Sequence, residues 1–284
     1  MQNATANCIQ KVTQDPDTGT WVMDGFFGTG CGNDIAVCGD RVYVLAGAVV
    51  TAYDFKGQAV RTYDLKTTAT GLPAQPTDMG LGFSYDGKYM FTVNAWSATP
   101  SYIFKTDLAT GVTSVFFTFD GATPSELVNV FARVRAVVGL KDGRVICSCR
   151  DSNKLVVFSA EGAYLSMVGS SNAQTLFLDR RHQKLYASGF SANLLAYSVG
   201  DPLVWTDTKG STYSNTIGIC GDRKGVIYGS AYGSNNYALL CDMLSGEGKT
   251  APAGFKTILY GGQLFNRCAF FDTAQPMGLF LIVQ

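Results

Sequence analysis

Apolar and polar positions alternate in short blocks along the whole chain. Apolar runs of four to seven residues are separated by turns rich in Gly, Asp, Asn and Ser. Helical periodicity is nearly absent, which predicts an all-β chain. Two stretches are near copies of each other, "IAVCGDRVYV" at 35–44 and "IGICGDRKGVIY" at 217–228. They belong to a longer series of the same form: "LGFSYDGKYMFTV", "AVVGLKDGRVICS", "LFLDRRHQKLYAS" and "CAFFDTAQPMGLFLIV". Each is an apolar run, a tight polar turn and a second apolar run, the first hairpin of a four-stranded unit.

A second hairpin follows each of the first five: "TAYDFKGQAVRTY", "YIFKTDLATGVTSVFF", "LVVFSAEGAYLSMV", "LLAYSVGDPLVW" and "ALLCDMLSGEGKT". The sixth unit lacks one, and "NCIQKVTQDPDTGTWVMDG" at the N-terminus has the missing form. The turn glycines Gly19, Gly57, Gly111, Gly162, Gly200 and Gly246 then recur around a closed circle at about one blade length each. A single small sheet cannot bury both faces alone, so such units pack side by side into a ring. The pattern therefore predicts one domain over 1–284, a six-bladed β-propeller whose last blade is closed by N-terminal strands. The expected blades are about 30–66, 78–121, 130–170, 173–210 and 213–256, with 258–284 joined by 3–25. A β-sandwich pair or an irregular barrel is the competing architecture.

The long irregular stretches, 67–78 and 119–134, fall between blades, and "PSELVNVFAR" reads as a short helical turn beginning near Ser125. Residues at or just before the innermost strands are Asn33, Asp78, Arg135, Gln174, Asn215 and Asn266. All are polar, which suits a wet axial channel. They also form a candidate ring for a hard cation such as calcium or for a small polar ligand. The loop residues Trp96, Tyr102 and Tyr232 are candidates for stacking on a glycan or a receptor.

Composition narrows the partners. There are 22 basic and 22 acidic side chains and only 15% charged residues. This argues against nucleic acid or an anionic membrane as partner, since both call for a basic excess. No apolar run approaches the roughly 18 residues of a membrane span. No signal peptide is visible, so synthesis in the cytoplasm is expected. Eight irregularly spaced cysteines, with Cys38, Cys147, Cys149, Cys220 and Cys268 inside apolar runs, read as buried free thiols. "CSC" puts Cys147 and Cys149 on one face of a strand. A single His makes zinc improbable.

Other motifs fail on spacing. "SGEGKT" at 245–250 has Met243 where a phosphate-binding loop needs Gly, and no helix follows. "GTGCGN" at 28–33 leads into a strand. "DPDTGT" at 15–20 lacks the later ligands of a calcium loop and reads as an Asp turn. His182 lies in the turn "DRRHQK", with no nucleophile paired to it by sequence.

The stretch "TDMGLGFSYDGKYMFTVNAW" resembles the repeat of the gluconolactonase and regucalcin-like six-bladed propellers, a repeat also found in non-catalytic propellers. The resemblance implies a channel calcium held by acidic and amide side chains, with Asn33, Asp78, Asn215 and Asn266 at matching positions, activating water against a lactone. This chain departs from that pattern, because Glu126, Glu161 and Glu247 all fall outside the inner strands and Arg135 would repel a cation. Three functional expectations follow, the third being glycan or receptor binding by the face loops with Trp96, Tyr102 and Tyr232. The first is a non-catalytic assembly module without a cofactor, whose partners are other protein subunits. Low charge and abundant Gly, Ser and Thr extend it, by compositional analogy, to a virion component such as a phage tail or capsid protein. The alternative is a calcium-dependent lactone or ester hydrolase.

Overall fold

The computed structural model describes residues 8–18, 21–28, 33–65, 80–94, 100–170, 172–189, 193–210, 216–221, 226–231, 238–242, 248–249, 265–271 and 278–283. The described residues are almost entirely β, with a 3₁₀ turn at Ser125–Leu127. No helix among them is long and apolar enough to cross a membrane.

The strands run in chain order. β1 (Cys8–Gln14) and β2 (Trp21–Phe27) open the chain. One sheet then forms from β3 (Asp34–Cys38), β4 (Arg41–Ala46), β5 (Val49–Asp54) and β6 (Ala59–Asp64). The next contains β7 (Gly80–Phe83), β8 (Tyr89–Asn94), β9 (Ser101–Asp107) and β10 (Thr113–Phe119). A third holds β11 (Val134–Gly139), β12 (Val145–Cys149), β13 (Lys154–Phe158) and β14 (Tyr164–Gly169). A fourth holds β15 (Ala173–Asp179), β16 (Lys184–Gly189), β17 (Asn193–Ser198) and β18 (Val204–Gly210). A fifth holds β19 (Thr216–Gly221), β20 (Val226–Ala231), β21 (Ala238–Asp242) and β22 (Gly248–Lys249). Finally β23 (Phe265–Phe271) and β24 (Gly278–Val283) join β1 and β2 in the order β2-β1-β24-β23. There β1 pairs antiparallel with β24, with Val12 opposite Leu279 and Gln10 opposite Leu281.

The sheets adopt a propeller arrangement. Each first strand packs beside the first strand of the next sheet, from β3 through β7, β11, β15 and β19 to β23, and β23 packs beside β3. Period-2 alternation explains why the strands read as unbroken apolar runs: both faces of each sheet are buried, against different neighbours. In β12, Val145, Cys147 and Cys149 join an aromatic cluster with Phe91, Phe116, Phe117 and Phe131 of the preceding region. Ile146, between them, joins Leu178, Leu185 and Leu195 of the following sheet. Phe117 and Phe158 rings stand 4.5 Å apart and Phe117 and Phe131 5.1 Å. Truncating one such ring costs about 3–5 kcal/mol.

Polar clamps reinforce the seams between sheets. The Arg61 guanidinium donates to the carbonyls of Leu108 (2.6 Å) and Ala109 (3.1 Å), and the Tyr63 hydroxyl donates to Leu108 O at 3.1 Å. Arg144, buried at its seam, donates to Gly200 O at 2.7 Å and pairs with Asp142 at 2.7 Å. The turn between third and fourth strands also nests against the preceding sheet. At Gly162 (φ 90°), an added Cβ would fall on the carbonyl oxygen of Phe116. Glycine is needed here twice over, for the positive φ and for the close approach.

The FSYDGK segment builds a turn. Asp86 accepts from the Ser84 hydroxyl at 2.7 Å and from Lys88 N–H at 3.1 Å, while Ser84 Oγ accepts Tyr89 N–H at 2.9 Å. These donors hold the Asp86 carboxyl down to about 2, the Ser84 hydroxyl contributing most. Asp15 acts similarly, accepting Asp17 N–H (2.9 Å) and Thr18 N–H (2.8 Å), so residues 15–18 form an Asp turn.

Candidate functional site

The first strands enclose an axial cavity of about 540 Å³. Its described lining comes from β3, β7, β11, β15 and β19 and from the turn after β15. The middle of the wall is apolar: Ile35, Val37, Leu81, Phe83, Val138, Leu176 and Phe177. Val37, Val138, Leu176 and Phe177 are only half-buried although they sit on inner strands. Gly82 lets β7 approach β11 so closely that a Cβ would overlap the carbonyl oxygen of Val137.

At the end where the first strands begin, polar side chains serve the backbone. Asp34 is buried; its Oδ1 accepts Ile35 N–H at 2.9 Å and its Oδ2 accepts Leu81 N–H of the next sheet at 2.8 Å. Thr175 does the same at the seam between β15 and β19, its Oγ1 accepting Ile219 N–H at 3.2 Å. The ladders of β11, β15, β19 and β23 are each irregular near this end, between Val134 and Ala136, Ala173 and Thr175, Thr216 and Gly218, and Phe265 and Cys268. Such bulges re-aim side chains.

The residues expected to ring the channel fall around these bulges. Arg135 and Gln174 are the extra residues of β11 and β15, and both are buried. Gln174 donates to Asn172 Oδ1 at 3.3 Å. Asn33 precedes β3 and is half-buried, its N–H donating to Leu45 O at 3.0 Å. Asn266 lies in β23, its side chain outside the described residues, as are Asp78 and Asn215 altogether. Of the three loop aromatics, Trp96 and Tyr232 also lie outside the described residues. Tyr102 is a core residue: it belongs to β9, is 2% exposed and stacks on Phe104 at 5.6 Å.

The opposite end carries chemistry that sequence reasoning left unconnected. The turn after β15 brings Asp179, Arg180, Arg181 and His182 to the cavity mouth. His182 Nδ1 and Asp179 Oδ2 are 2.6 Å apart. Asp179 Oδ1 also accepts the N–H groups of Arg181 (3.0 Å) and His182 (3.2 Å). The i,i+3 spacing of Asp and His across a tight turn is the sequence signal for that pair. The Arg180 guanidinium lies 4.8 Å from the Tyr85 ring. Cys38 and Cys220 line the same cavity.

Burial pushes the Cys38 thiol up, against a downward pull from Arg180, and thiolate is the reactive form. Burial raises Cys147 and Cys149 further still. Cys38, Cys147, Cys149 and Cys220 are free thiols. Among the described residues no three His, Cys, Asp or Glu side chains gather closely enough to hold a metal ion.

No protein-family profile and no curated protein sequence matches the chain. Among solved structures, a chain of the crystal structure of a nidogen/laminin complex is similar, with a TM-score of 0.60 and 12% identity, covering 86% of this chain and 92% of that one. At that identity the likeness speaks for the fold alone.

Proposed function

We propose that this chain is a closed six-bladed β-propeller, its last blade completed by N-terminal strands, working as a non-catalytic protein–protein assembly module. The observation that carries the reading is the position of its exposed apolar side chains. Val22, Val60, Leu165, Val204 and Trp205 stand at the head of the outermost strands β2, β6, β14 and β18, and Val112 immediately precedes β10. Each is 45–62% exposed. All follow the hairpin between third and fourth strands, so they mark the same end of their respective sheets. A repeated apolar rim on one end fits docking of other protein subunits. The strands β10 and β14 contain no charged residue, and charge is a common device by which outer strands discourage pairing. A virion role rests on composition alone.

Sizing by light scattering, alone and with candidate partner subunits, tests the proposal. A stable complex or self-assembly that disperses on Val60→Glu, Leu165→Glu and Trp205→Glu is expected. A strict monomer that binds nothing contradicts it.

The alternative, a calcium-dependent lactone or ester hydrolase, rests on the FSYDGK resemblance. Its decisive test is calorimetric titration with calcium followed by a lactone assay.

A further inference from the structure

We propose that the axial cavity is a binding site for an uncharged, largely apolar aromatic molecule, held between the inner strands without a charged anchor. This does not depend on the assembly reading. The cavity, at about 540 Å³, falls in the range of small-molecule sites, which run from about 300 to 1,000 Å³. The middle of its wall is apolar, and Val37, Val138, Leu176 and Phe177 line it while keeping accessible surface. Water against that surface is released when an apolar molecule covers it. Two rings belong to the wall, and both are held in place. Phe83 stands 4.8 Å from the Tyr43 ring, and Phe177 stacks on Tyr186 at 6.4 Å. Gly221 fits against Phe177 so closely that a Cβ would meet the ring at 2.5 Å. Fixed rings offer a ligand ring a preformed partner at little ordering cost. Cys38 and Cys220, on the same wall, behave as small hydrophobes.

The polar groups at the two mouths argue for an uncharged ligand, because each already has a partner. Asp34 accepts the N–H groups of Ile35 and Leu81, and Thr175 accepts that of Ile219. Asp179 is committed to the His182 ring and to two backbone N–H groups. The Arg180 guanidinium lies over the Tyr85 ring, and Arg181 is engaged as well. The Cys38 sulfur is directed at the Gly87 carbonyl, 4.0 Å away. A charged ligand entering this cavity would shed its hydration while the groups able to replace it are occupied, which is a costly exchange. An uncharged ring system has little hydration to lose and gains the apolar wall.

Fluorescence titration of the full chain with N-phenylnaphthylamine, an uncharged ring system whose emission rises in apolar surroundings, tests the site. Anilinonaphthalene sulfonate, with the same rings and one added negative charge, is the control. Saturable one-to-one binding of the uncharged probe is expected, with the sulfonate at least about tenfold weaker because its charge loses hydration without compensation. Leu176→Trp, which fills the cavity, should abolish binding while circular dichroism shows the fold kept; Val138→Phe replaces it if Leu176→Trp does not fold. Absence of saturable binding, a sulfonate affinity equal to or above that of the uncharged probe, or binding that survives cavity filling overturns the proposal.

Discussion

The two ends of the axial cavity are made by the same strands yet use polar side chains in opposite ways. Where β3 and β15 begin, Asp34 and Thr175 spend their oxygens on backbone N–H groups of the neighbouring sheet. At the other end Arg180, Arg181 and His182 are exposed, and their turn holds more base than acid. A polar residue at a channel mouth is therefore not by itself a ligand group. The hydrogen-bond accounting decides its role: a buried acceptor already filled by the backbone stitches sheets together.

The largest expected effect is on the wall between the two ends. Gly82→Val would drive a side chain into the Val137 carbonyl and force β7 from β11. Loss of soluble, cooperatively folded protein is expected, a change above about 4 kcal/mol, read by thermal melting. Next is Asp34→Ala, which leaves the buried N–H groups of Ile35 and Leu81 without their acceptor. At about 1–3 kcal/mol per unsatisfied group, denaturant titration should show a loss of about 2–6 kcal/mol. Thr175→Val removes one such bond and should cost about 1–3 kcal/mol in the same titration. At the opposite end, Arg180→Gln should cost no more than about 1 kcal/mol, the size of an exposed contact with the Tyr85 ring. A loss there equal to that of Asp34→Ala would erase the distinction between the ends.

The smallest effect is a pH dependence. The Asp86 carboxyl is held at about 2 in the folded chain, below its ordinary value of 3.8, chiefly by the Ser84 hydroxyl. A depressed folded value means the stabilisation is full above the unfolded value and fades as pH falls toward 2. Asp86→Asn should flatten that part of the acid stability curve, measured by melting at stepped pH.

Much of this architecture is legible in the sequence because its signals are local. Period-2 runs separated by Gly and Asp turns mark the hairpins, and FSYDGK and DPDTGT resolve into turns whose Asp side chains take backbone N–H groups. Counting hairpins around a circle points to the shared sheet, seen as β1 against β24. The cavity was less legible. Sequence position marks Arg135 and Gln174 as channel residues but does not reveal that each is the extra residue of a bulge, which changes where its side chain goes. Tyr102 reads as a loop aromatic because strand β9 begins one residue earlier, at Ser101, after Ala98, Thr99 and Pro100. The His182–Asp179 pair is sequence-local, but its place at the cavity mouth depends on five strands from distant parts of the chain.

The proposed closed ring rests on the pairing of the terminal strands. Val12 and Leu279 face each other across β1 and β24, and antiparallel partners sit with Cα atoms about 4.5–5.5 Å apart, within disulfide reach. The most direct measurement is oxidation of the Val12→Cys/Leu279→Cys double variant, followed by peptide mapping and thermal melting. Near-quantitative cross-linking of these two positions with a raised melting temperature is predicted. Cross-linking to other cysteines, or none in the folded protein, would contradict the closed ring.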